Sequence, residues 1–173
     1  MEAYGDGLAT TRLFQCALAA DKAADFSGGV VDKKDYQSVL FDLCFGDMTG
    51  TFDTTDHWCI YLEHSDSGAD SGFAVVTDTA HVLGTFADIT LGLWLDINSG
   101  AKVTACQNLA RRFGYCGPKR YCRVRFDKLN SGPNILIGIS ATAHGARYAG
   151  DSGGNVLPTH YSGNETATTV SAT

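Results

Sequence analysis

The chain has 173 residues and a net charge of −6, with 44% hydrophobic and 18% charged residues. That length and apolar content suit one domain with a real core, and an acidic balance with scattered basic residues argues against nucleic acid as a direct partner. No apolar run approaches the roughly 18 residues of a membrane helix, and Glu2 and Asp6 stand where a secretion signal would carry basic charge, so the chain is expected to stay in the cytosol with no membrane partner.

Twenty glycines against three prolines predict many short strands joined by glycine turns. Residues 1–29 are small and Ala-rich. Leu13, Cys16, Ala17 and Ala20 fit one or two helical turns, and the same segment fits an extended N-terminal arm. Ser27-Gly28-Gly29 separates it from a domain over residues 30–149. The clearest strand is Val39–Phe45, with Val39, Phe41, Leu43 and Phe45 on one face and Leu40, Asp42 and Cys44 on the other. A turn at Gly46–Gly50 precedes a strand over His57–Glu63, with Trp58, Ile60 and Leu62 inward and Cys59, Tyr61 and Glu63 outward.

Ser65–Gly72 reads as a loop, Phe73–Val76 as a short strand and Leu91–Ile97 as another. Val103–Phe113 fits a short helix or a strand. In Tyr121–Phe126, Tyr121, Arg123 and Arg125 share one face and Cys122, Val124 and Phe126 the other. This strand is expected to form a hairpin with Ile135–Thr142 across the loop Asn130–Pro133. Residues 150–173 are rich in Gly, Ser, Thr and Asn and carry little to bury. They read as a polar C-terminal tail that orders against neighbouring subunits. The fold class that follows is all-β, a β-sandwich or jelly-roll-like domain with an arm and a tail.

Six cysteines stand at Cys16, Cys44, Cys59, Cys106, Cys116 and Cys122. None forms a CxxC pair or a zinc-finger spacing with histidine, so neither a metal nor a cofactor is expected. They read either as free thiols acting as small hydrophobes or as disulfides formed on release into an oxidising medium. Cys44 and Cys59 both fall on polar faces, and they can bridge if neighbouring strands bring their Cα atoms within about 4.4–6.8 Å. The string Gly150-Asp151-Ser152-Gly153-Gly154 resembles the nucleophile loop of chymotrypsin-like serine proteases, and His81, Asp96 and Ser152 give the order that a triad needs. The motif opens a polar tail, however, and Thr79-Ala80-His81-Val82 departs from that family's histidine context, so a flexible junction and no enzyme is the expectation. Asp66–Asp70 lacks the spacing of a calcium loop and reads as a turn. Asp53 and Asp56 beside His57 read as a surface loop rather than a metal or acid–base cluster.

The stretch Phe113–Phe126, FGYCGPKRYCRVRF, carries a string that resembles "GY.G.KRY.RV" in a family of small tailed-phage virion structural proteins encoded among the head genes. Upstream, Leu62–Val76, LEHSDSGADSGFAVV, resembles that family's "LE.SDDG..F..V" segment. With Gly46–Gly50 and Ile135–Arg147 the resemblance runs in order through roughly residues 30–149. The longer segment between Val76 and Gly114, the cysteines and the tail after Gly150 depart from it. The resemblance implies a β-rich virion component assembled in the bacterial cytoplasm. It points to a capsid decoration (cement) protein bound to the major capsid protein and to copies of itself, a trimer being one arrangement, with a neck or collar component as the alternative. It also makes Cys16, Cys44 and Cys59 the first choices for links between subunits.

Overall fold

A computed structural model describes residues 11–146. In chain order the elements are β1 (Thr11–Lys22), β2 (Phe26–Ser27), β3 (Val31–Asp32), β4 (Tyr36–Met48), β5 (His57–Ser65), β6 (Ala74–Val75), β7 (Val82–Leu83), β8 (Leu93–Ile97), α1 (Gly100–Cys106), β9 (Ala110–Tyr115), β10 (Tyr121–Leu129) and β11 (Ile135–Ala146). All strand pairs are antiparallel. One sheet runs β1-β11-β4-β9-β7, and the other runs β2-β10-β5-β6, with β3 also on β10 and β8 also on β5. The two sheets pack face to face as a β-sandwich, as the alternation of apolar and polar residues predicts.

The core is the sum of the inward faces. Val39, Phe41, Leu43 and Phe45 of β4, Ile135, Ile137 and Ile139 of β11, and Phe113 of β9 meet Trp58, Ile60 and Leu62 of β5 and Cys122, Val124 and Phe126 of β10. Trp94 stacks on Phe113 with ring centroids 3.9 Å apart, and Phe26 stacks on Phe126 at 4.3 Å. Such aromatic pairs add about 0.5–1.5 kcal/mol each beyond the area they bury.

The expected hairpin between Tyr121–Phe126 and Ile135–Thr142 does not form. β10 pairs with β5, Leu129 opposite His57, while β11 pairs with β4, Ile135 opposite Met48. The loop between them crosses from one sheet to the other, held by the bond from Trp58 Nε1 to the Pro133 carbonyl at 2.6 Å. Two strands with one apolar face each can lie side by side or face to face, and alternation alone does not distinguish these.

Residues 11–22 are neither helix nor a detached arm. β1 pairs with β11 over nine positions, with register shifts at Gln15/Ala17 and Ala17/Ala20. The bulges put Phe14, Cys16, Ala17 and Ala20 on the half-buried side. A bulge resets a strand's alternation by one residue, and two of them reproduce the spacing that reads as helical. The boundary expected at residue 29 is therefore not a break in the fold, since the sheet already includes Thr11. The expected tail, residues 150–173, lies outside the described residues.

Smaller differences have local causes. The strand expected from Leu91 begins at Leu93, because Ile89–Leu91 is a 3-10 turn closed by Gly92 at φ +67°. The turn expected at Gly46–Gly50 starts later, since β4 continues to Met48. Residues 103–113 contain both alternatives, the end of α1 and then β9.

Candidate functional site

The two segments that carry the phage resemblance meet where β10 lies beside β5. Arg123 of β10 lies opposite Glu63 of β5, and Arg125 lies opposite Tyr61. Strand alternation sends Glu63, Arg123 and Arg125 to the outer face of their sheet. Even so, Glu63 is only 5% exposed and Arg123 8%. Glu63 accepts on both oxygens, from Arg123 Nε at 2.7 Å and from Arg125 Nε at 2.7 Å. Arg123 also donates to Asp70 at 2.5 Å, and Arg125 donates to Asp127. Phe73 lies under the Arg123 guanidinium, 4.2 Å from centroid to Cζ, and Tyr61 under Arg125 at 4.4 Å. Burial works against the charge of Arg125, but Asp127 and Glu63 outweigh it and raise its pKa.

The rest of the motif braces the same sheet. Tyr115 is buried, its hydroxyl bonded to His64 Nδ1 at 3.0 Å and accepting from the Lys119 amide at 2.9 Å. Lys119 pairs with Asp66, and Arg120 grips both oxygens of Asp32 at 2.9 and 2.7 Å. The carboxylates of the Asp66–Asp70 loop are thus ion-pair partners, in keeping with a turn. Chemically this assembly is a salt-bridge lattice of Arg123, Arg125, Glu63, Asp70 and Asp127.

All six cysteines are free thiols, the first of the two alternatives that the sequence left open. Cys44 lies on β4 and Cys59 on β5, strands of different sheets. They cannot face one another as neighbours. Cys44 is exposed, Cys16 and Cys116 are half-buried, and Cys59, Cys106 and Cys122 are buried. Burial pushes the Cys16 thiol up to about 11 and also raises Cys59, Cys106 and Cys122.

Of the residues that would write a protease triad, Ser152 lies outside the described residues. His81 is 3.7 Å from Asp78, whereas Asp96 approaches His57. Asp53 caps its own turn by accepting from the amides of Thr55 and Asp56, and Asp56 accepts from the Ser131 amide at 2.8 Å. Neither forms an ion pair with His57, whose carboxylate partner is Asp96. The partners of His57 are instead Cys59 and Asp96, and these three donor groups lie within 4.8 Å of one another. Sequence reading missed this grouping. The shared face of His57 and Cys59 is visible in their spacing of two, but Asp96 joins them through the β5–β8 register, which places it opposite Cys59.

A second feature is the position of β1 at the end of its sheet. Among the described residues no strand pairs with its outer side. Leu13 and Leu18 stand 74% and 69% exposed there, with Leu136 of β11 also exposed. No helix among the described residues is long and apolar enough to cross a membrane.

No protein-family model matches the chain, and no curated protein matches it. Among solved structures, the D431N mutant VP2 protein of infectious bursal disease virus in T=1 particles matches with 10% identity over 92% of this chain and 47% of that one, at a TM-score of 0.26. The VP2 subviral particle of the same virus matches at 9% identity, over 89% of this chain and 43% of that one, with a TM-score of 0.22. The chain spans just under half the length of these structures, and a likeness this weak decides nothing about function.

Proposed function

We propose that this protein is a bacteriophage virion structural component, a decoration protein that binds and stabilises the major capsid shell. The observation that carries the reading is the β1 edge. Among the described residues β1 is the last strand of its sheet, paired only with β11, and Leu13 and Leu18 are exposed on it. An edge strand is a template for another strand, and strand addition is a common way for one protein to bind another's extended segment. Symmetric repetition in a shell multiplies such modest contacts.

The resemblance supports the same reading. Its residues Glu63, Arg123 and Arg125 form a brace, which suits a part that must hold its shape under load. The test is the copy number of the chain relative to the major capsid protein in purified particles, by quantitative mass spectrometry. A ratio near one, or a simple fraction of one, supports a shell component. A handful of copies per particle moves it to the neck, and absence from particles removes the structural reading. Non-reducing gels of the same particles test the links between subunits, and monomer alone would exclude them.

A further inference from the structure

We propose that His57, Cys59 and Asp96 form a binding site for a zinc-class divalent cation that ties β8 to β5. The three residues come from two strands. His57 and Cys59 share a face of β5, and Asp96 of β8 lies opposite Cys59 in the ladder. Imidazole nitrogen, thiolate sulfur and carboxylate oxygen form the donor set that zinc prefers, and three protein ligands with one open position are the pattern of an open zinc site.

The geometry fits an ion better than a hydrogen bond. His57 Nε2 and Asp96 Oδ1 are 3.6 Å apart, beyond the hydrogen-bond range of about 2.7–3.2 Å. A tetrahedral ion about 2.0–2.1 Å from nitrogen and about 2.0–2.2 Å from oxygen separates the two by about 3.4 Å. The His57 side chain is only 9% exposed. Among the described residues, His57 Nδ1 and Asp96 Oδ1 are the buried side-chain nitrogen and oxygen atoms without a hydrogen-bond partner. Leaving such atoms unpaired is costly, and coordination removes that cost for the Asp96 oxygen.

Asp96 is also oriented as a ligand. Asn98 Nδ2 donates to its Oδ2 at 2.5 Å, which turns Oδ1 towards His57. Outer partners of this kind fix the direction of a metal ligand. The Asp96 side chain as a whole is 19% exposed although its Oδ1 is buried, so solvent reaches the outer side of this ligand. On binding, Cys59 gives up its thiol proton to solvent.

The test uses the full chain, freed of metal by chelator and titrated with cobalt(II). The expected result is one cobalt per chain, a thiolate-to-cobalt charge-transfer band, displacement by zinc and a higher unfolding temperature with zinc. Cys59→Ser should abolish the band, whereas Cys44→Ser should leave it unchanged. Asn98→Ala, which spares every ligand, should weaken binding by about 10–100-fold. No charge-transfer band in the wild-type chain, or a band that survives Cys59→Ser, overturns the proposal. Asp96→Asn, similar in shape, separates loss of a ligand from loss of the fold: it should keep the apo unfolding temperature near that of the wild type and lose the rise with zinc. A zinc response retained in this variant also overturns the proposal.

Discussion

Replacing Glu63 with glutamine removes the one carboxylate shared by two arginines, one of them buried. Its two bonds at 2.7 Å are charge-assisted, and breaking a buried pair by removing one partner costs about 3–5 kcal/mol. Here the cost falls near the lower end. Arg123 keeps Asp70, and Arg125, which is 30% exposed at its side chain, keeps Asp127. A loss of about 3 kcal/mol lowers the unfolding midpoint by about 6–12 °C for a chain of this size. The assay is thermal and urea unfolding followed through the fluorescence of Trp58 and Trp94, both in the core. A companion variant with Glu63→Met, Arg123→Met and Arg125→Leu removes all three charges and should recover much of the loss, because no buried ion is stranded and the carboxylates left without a partner, Asp70 and Asp127, still reach solvent. A Glu63→Gln midpoint within about 2 °C of the wild type would refute the view that this lattice is a structural brace.

Three further outcomes are expected. Burial, then the charges of His81 and Lys119, lower the pKa of His64; the unfolded chain binds the proton more readily, so this contribution to stability is complete above about pH 6.5 and is lost as pH falls through the folded value. Denaturant midpoints measured down through this range should fall, and His64→Gln should flatten the slope. Gly92→Ala should destabilise by about 1–3 kcal/mol in urea unfolding, because Gly92 sits at φ +67° and an added Cβ would meet Val75 Cβ at 2.6 Å. In native protein treated with iodoacetamide, mass spectrometry should find Cys44 alkylated and Cys122 untouched until urea is added, since Cys44 is exposed and Cys122 is buried with a raised pKa.

Where one face of a segment is apolar and the other polar, residue order alone determined the strand and its inward side. Val39–Phe45, His57–Glu63 and Tyr121–Phe126 each send their expected inward residues into the core, because a period of two has one solution once one face must leave water; alternation did not foretell that Cys59, Glu63 and Arg123 on the other face are buried as well. The all-β class followed from the same pattern and from the glycine turns. Tertiary structure alone decided which strands are neighbours. It separated Cys44 from Cys59, sent β11 to the opposite sheet from β10, and absorbed residues 11–22 as a bulged edge strand. It also brought Asp96 to Cys59 and Glu63 to Arg123 across the ladder. Register depends on contacts between segments distant in sequence, and local alternation carries information about the face a side chain takes but none about the strand beside it.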